Sequence, residues 1–182
     1  MKKINNLKVV AILAMLSAIS IVAGKYLAIR GGDVMRFSLE NMPIIFAGMA
    51  FGPLAGALVG VVADLVGCMM VAYTINPLVT LGAMTIGIIS GIIPDLAKKY
   101  TKRKWLITTI TVTASHLIGS VIIKTFGLSI YYSMPFEILM LWRGLNYLIV
   151  GIIDGIIVHI LINNKGVLMQ INKYRTRKNH DV

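Results

Sequence analysis

The sequence predicts an all-α membrane protein with six transmembrane helices and both termini on the cytoplasmic side. Three observations carry that expectation. The 182 residues are 57% hydrophobic and only 14% charged, whereas a soluble chain has roughly 45–50% apolar and about 25% charged residues. Uncharged runs extend from Leu65 to Pro94 and from Trp105 to Ile123, and each can supply the roughly 20 residues that cross a hydrocarbon core about 30 Å thick. Most of the 18 basic residues lie in three clusters: Lys2, Lys3 and Lys8; Lys98, Lys99, Lys102, Arg103 and Lys104; and Lys165, Lys173, Arg175, Arg177 and Lys178.

Lys and Arg concentrate in cytoplasmic loops, so an even number of spans must separate each cluster from the next. The first interval holds candidate helices at about 9–24, 36–51, 54–73 and 77–96, and the second holds two, at about 105–126 and 135–162. External segments then fall near 25–35, 74–76 and 127–134, with a tight internal turn at Gly52-Pro53. A cleavable signal peptide is the alternative for the first helix; removing it would leave five spans and break the parity. The second helix is the anomalous one, because about 16 residues reach only about 24 Å and Glu40 lies within it. It is expected to be tilted, thin or partly unwound. Residues 163–182 read as a basic cytoplasmic tail solvated at the membrane surface, and the whole of 1–182 as a single transmembrane domain.

The net charge of +11 would suggest nucleic acid in a soluble domain, but here topology accounts for it, and no nucleic-acid partner is expected. A single cysteine, Cys68, excludes an intramolecular disulfide. No G-x-x-x-x-G-K-[ST] phosphate loop and no G-x-S-x-G elbow occur. Asp154 and His159 lie about 140° apart on a helix, and His116 has no His or Cys at ligand spacing. Neither metal nor cofactor is expected, and the chain does not read as an enzyme. An intramembrane enzyme using Asp64, His116 and Asp154 is the enzymatic alternative.

Small residues let helices approach closely in lipid. Gly48, Gly52, Gly56 and Gly60 recur every fourth residue, followed by Gly67, and Ala83, Gly87 and Gly91 repeat the pattern, which suits packing within the bundle. On the first helix Ala11, Ala14 and Ala18 form a stripe that fits a partner subunit or a neighbouring helix equally well.

Polar groups at membrane depth are costly and usually face the bundle or a cavity. Arg143, Tyr147 and Asp154 lie within about 20–40° of one another on the last helix, with Trp142 and Asn146 beside them. On the fifth, His116, Ser120 and Lys124 follow at intervals of four, preceded by Thr113. Lys25, Arg30, Arg36, Lys124 and Arg143 all fall toward the outer side. One reading is mutual pairing, such as Arg143 with Glu137 or Lys124 with an external acid. The other is an outward-opening pocket in which the cations meet carboxylates and Tyr73, Trp142 and Tyr147 cover a flat ring. Candidate ligand-binding residues on that reading are Arg30, Arg36, Tyr73, Asn76, Lys124, Trp142, Arg143, Asn146 and Tyr147.

The stretch from Met42 to Asp64, with its P-x-x-x-A-G, F-G-P-x-x-G and G-x-x-x-D elements, resembles the second and third helices of the substrate-binding S components of energy-coupling-factor (ECF) vitamin transporters. Asn76-Pro77-Leu78-Val79-Thr80-Leu81-Gly82, followed by Gly87 and Gly91, is similar to the folate-specific branch. The resemblance implies a six-helix subunit of the bacterial plasma membrane that captures folate or a related pterin outside and topples to release it inside. It implies as partners a transmembrane coupling subunit and two cytoplasmic ATPases, besides membrane lipid, and it maps the family's coupling motif onto Ala14 and Ala18. An S component for riboflavin or thiamin, and a self-sufficient secondary transporter, are the alternatives. The latter is expected to carry internal repeats, which the two halves do not show.

Overall fold

The computed structural model describes residues 7–31, 35–133 and 135–176, with only the backbone described for a few of these. Lys2, Lys3, Arg177 and Lys178 lie outside the described residues. The described chain is nearly all helical. Helix α1 (Leu7–Ile21) runs on as a π-helical turn over Val22–Tyr26 and leads into a hairpin, β1 (Ile29–Gly31) with β2 (Met35–Phe37). There follow α2 (Asn41–Phe51), α3 (Pro53–Met70), α4 (Pro77–Ala97) and α5 (Lys104–Ser115). A π-helical stretch over His116–Ile123 joins α5 to α6 (Lys124–Tyr132), and α7 (Phe136–Asn163) and α8 (Lys165–Thr176) complete the described chain. Among the described residues five helical runs are long and apolar enough to cross a membrane: Leu7–Tyr26, Pro53–Met70, Pro77–Ala97, Lys104–Tyr131 and Phe136–Asn163.

The remaining predicted span, the second, is different in kind. Helix α2 has 11 residues, about 16 Å, half of a hydrocarbon core. Its sequence start at about 36 gives way to Asn41 because Met35–Phe37 pairs antiparallel with Ile29–Gly31. A half-length helix with an acid at its head survives because protein surrounds it: Asn41, Pro43 to Gly48 and Ala50 are all buried. Non-helical backbone at membrane depth is tolerated under such cover.

The glycine spacing explains how α2, α3 and α4 pack. Gly52, at φ 98°, ends α2 in a conformation that favours glycine, and Pro53 then opens α3 at a position where its missing N–H costs nothing. Along the antiparallel α3–α4 contact, Gly91 faces Pro53, Gly56 faces Gly87 and Gly60 faces Ala83. A Cβ at Gly56 would stand 2.5 Å from the Gly87 carbonyl. One turn further, Thr80 Oγ1 donates to Asp64 Oδ2 at 2.6 Å. Asp64 is therefore hydrogen-bonded within this seam. Around it Ile44, Ile45, Phe46, Val59, Ile86, Val112 and Val158 form the apolar core.

Gly127 and the tail also depart from the sequence reading. The chain stays helical through Gly127 to Tyr132 and ends on Ser133 in the left-handed region (φ 52°). Gly127 is a close-approach glycine, since a Cβ there would meet Leu78 Cβ at 2.6 Å. After Asn163, Asn164 Oδ1 accepts from Gly166 N at 2.9 Å and starts α8. Ile171 of that helix is buried in the core cluster, and Val167 packs against it. An apolar stripe within the basic tail thus docks it as a helix.

Candidate functional site

Two charged groups head the site. Lys124, 3% exposed, donates from Nζ to Glu40 Oε1 at 3.1 Å and to Asn41 Oδ1 at 3.3 Å. Asn41 Nδ2 donates in turn to Ser120 Oγ at 3.1 Å. The Glu40 carbonyl accepts from Ser20 Oγ of α1 at 2.5 Å, so α1, α2 and α6 meet at the head of α2. A buried ion pair gains from its mutual attraction what it loses by leaving water only when further hydrogen bonds complete it, and Asn41 supplies one.

Below this pair a polar column continues between the His116–Ile123 stretch and α7. Arg143 Nη2 donates to the Ser120 carbonyl at 3.1 Å and lies 3.5 Å from Tyr147 OH. The guanidinium stands 5.4 Å from the centre of the Tyr147 ring, in cation–π range. Tyr147 stacks on His116 at 5.0 Å between centroids, and His116 Nε2 lies 3.0 Å from Asp154 Oδ2. The π-helical stretch matters here. Its i→i+5 pattern interrupts the regular ladder, and the Ser120 carbonyl receives side-chain donors from Arg143 and Thr125.

Four buried polar atoms in or beside this column have no hydrogen-bond partner among the described residues: Ser115 Oγ, His116 Nδ1, Arg143 Nε and Asp154 Oδ1. Such atoms are few in native structures and each calls for a cause. Free space is uneven. Ser20, Gly24, Lys25, Glu40, Asp64 and Lys124 border a void of only about 20 Å³, enough for one water. A cleft of about 660 Å³ opens between α5 and α7, and His116 and Tyr147 of the column line part of it.

A family model for the substrate-specific component of ECF transporters matches residues 8–162, most of the chain. The protein belongs to that family. Solved structures of similar fold agree. The chain superposes on FolT bound with folic acid at a TM-score of 0.71, with 24% identity over 88% of this chain and 95% of that one. It superposes on the S component for biotin of an ECF-type ABC transporter at 0.66, with 17% identity over 93% and 98%. The S component of a bacterial ECF transporter follows at 0.56, with 21% identity over 95% and 96%. At these identities the likeness establishes the fold. No curated protein matches the sequence. As a member of this family the chain is a substrate-binding component of a membrane transporter.

The nine candidate ligand residues of this S component fall into distinct places. Lys124, Arg143, Asn146 and Tyr147 belong to the column or its edge, and Asn146 is buried. Trp142 is 39% exposed beside Arg143. Tyr73 stands apart, with Lys25 Nζ 5.6 Å from its ring centre. Asn76 is committed to structure: its Oδ1 accepts from Leu78 N at 3.0 Å and its Nδ2 donates to the Gly127 carbonyl at 2.9 Å, capping α4 and tying it to α6. Arg30 and Arg36 face one another by backbone register in the hairpin, and their side chains lie outside the described residues. Glu40 and Asn41 join the cluster although the sequence reading did not choose them as ligand residues, and Asp154, which it placed on one helix face with Arg143 and Tyr147, joins through His116. Glu40 carried a signal, as an acid in an otherwise apolar segment; Asn41 carried none.

On α1 the small-residue stripe is turned outward. Ala11, Ala14 and Ala18 are exposed, whereas Leu13, Ser17, Ser20 and Ile21 face the bundle.

Proposed function

We propose that this S component captures folate or a related pterin vitamin at the hairpin end, outside the cell, and delivers it to the cytoplasm as the binding subunit of an ATP-driven importer in the bacterial plasma membrane. The observation that carries the ligand class is the pairing of two cations, Lys124 and Arg143, with the stacked Tyr147 and His116 inside an apolar bundle. Carboxylates suit the cations and a flat heterocycle suits the aromatic faces. Arg143 Nε has an unused donor for such a ligand. The fold shared with FolT adds support at the level of architecture.

A vitamin pocket needs roughly 300–1,000 Å³, far above the void beside Glu40. The proposed binding step therefore has a ligand carboxylate replace Glu40 on Lys124 while the Glu40 side chain moves aside. On this reading Glu40 stands where the ligand's anion would sit.

Arg143→Ala tests this reading. A lost charge-assisted hydrogen bond is worth roughly 1.5–3 kcal/mol, so folate affinity by titration calorimetry is expected to fall about 10-fold to 150-fold while the protein still extracts folded. Unchanged affinity would remove Arg143 from the site, and tight binding of biotin, riboflavin or thiamin in place of folate would assign another vitamin.

Glu40→Gln probes the exchange itself. It leaves Lys124 buried without its carboxylate, so the free protein is expected to melt lower. Folate, whose carboxylate restores the pair, should then raise the melting temperature by more than it does in the parent. Equal ligand-induced shifts would place the carboxylate elsewhere.

A further inference from the structure

The 660 Å³ cleft between α5 and α7 borders the site above at His116 and Tyr147 and runs from there along α5 to Trp105. It exists because α7 presents Gly144 and Gly155 to open space and Gly151 to nothing nearer than the His116 ring edge at 3.5 Å. Leu148, Ile152, Leu117 and Val121 make its walls apolar. From Trp105 to Val121 the cleft follows about 24 Å of helix, rather more than the roughly 15 Å of hydrocarbon in one leaflet.

Dividing the volume by that length gives a cross-section of about 30 Å². A helix about 10–12 Å across needs about three times as much and can rest only on the rim. A single extended acyl chain fits. At the mouth, where Trp105 lines the cleft, α5 begins with Lys104 preceded by Arg103, both exposed. The same loop carries Lys98, Lys99 and Lys102, of which only Lys98 has a carboxylate partner among the described residues, Asp95 at 2.9 Å. Basic pockets between transmembrane helices on the cytoplasmic side suit anionic headgroups.

We infer that this cleft is a binding site for one anionic phospholipid of the inner leaflet, its acyl chain lying along Gly151 and Gly155 and its phosphate held at Arg103 and Lys104. The bound chain covers the edge of the His116–Tyr147 stack, where the polar interior comes nearest to lipid. The inference does not depend on which vitamin binds.

Trp142→Phe leaves Trp105 as the single tryptophan, placed at the mouth. In phosphatidylcholine vesicles, brominated phosphatidylglycerol is expected to quench Trp105 with an apparent affinity about 5-fold to 30-fold above that of brominated phosphatidylcholine, as one or two near-surface cations predict. Equal quenching by the two lipids would overturn the site. Arg103→Gln with Lys104→Gln, at exposed positions where folding is not at risk, should bring the ratio close to one; an unchanged ratio would overturn the headgroup assignment. Gly151→Leu with Gly155→Leu fills the cleft and should abolish the preference. Persistence of the preference in that variant, with the protein folded, would mean that surface charge alone attracts the lipid and would overturn the cleft as the site.

Discussion

Cells carrying Ala14→Trp with Ala18→Trp are expected to take up no folate, while the purified variant binds folate within about twofold of the parent. The separation follows from which way α1 faces. Both alanines are exposed and Leu13, Ser17 and Ser20 hold the helix to the bundle, so two indoles on the outer face disturb nothing inside. They do prevent another helix from approaching closely, the use to which small-residue stripes are put in membranes. On the proposed function uptake depends on such a partner, which would carry the nucleotide-binding loop that this sequence lacks. Moving one negative charge inward against a potential of about 100 mV costs about 2.3 kcal/mol before any concentration gradient, and binding alone cannot supply that. The coupling subunit should accordingly be lost from pull-downs of the variant. Retained uptake would dismiss the stripe as the dock. Accumulation by proteoliposomes holding this chain alone, driven by a proton or sodium gradient, would make it a secondary transporter.

The fold class was legible because membrane insertion imposes its demands residue by residue. Long uncharged runs and glycines at every fourth position are visible without any tertiary information. The motif that carried the family resemblance turns out to be packing chemistry: Gly52 makes the turn, Gly56 and Gly60 admit α4, and Asp64 closes the seam on Thr80. What depends on contacts between distant segments was hidden. The start of α2 is set by a hairpin pairing, and a helix that is short because protein surrounds it has the same hydropathy as one that spans lipid. Gly127 read as a turn because glycine breaks helices as readily as it lets them touch, and only the neighbouring Leu78 decides between the two. The two polar stripes were visible by periodicity. Their connections were not: Lys124 reaches Glu40 across 84 residues and His116 reaches Asp154 across 38, and spacing along one helix says nothing about either.

That second connection carries the largest stability effect expected here. Asp154 is fully buried and His116 is 3% exposed, and their 3.0 Å contact ties the π-helical stretch to the middle of α7. On its other side His116 stacks on Tyr147, which in turn meets Arg143, so the pair also braces the column above it. Removing one member leaves the other buried without its hydrogen-bond partner, at about 1–3 kcal/mol. Asp154→Ala should therefore lower the melting temperature in detergent by about 2–12 °C, taking about 2–4 °C per kcal/mol for a chain of this size. Asp154→Asn keeps an acceptor for the imidazole in the same volume and should recover much of that loss. The comparison between the two variants separates the hydrogen bond from simple filling of space, because both change the charge alike and only asparagine retains the oxygen. Folate affinity in Asp154→Asn is expected to stay close to the parent's, since Asp154 acts on the proposed site only through the His116–Tyr147 stack. If alanine costs no more than about 0.6 kcal/mol, the average measured for hydrogen bonds between membrane helices governs this pair too, and the column is held together by helix packing alone.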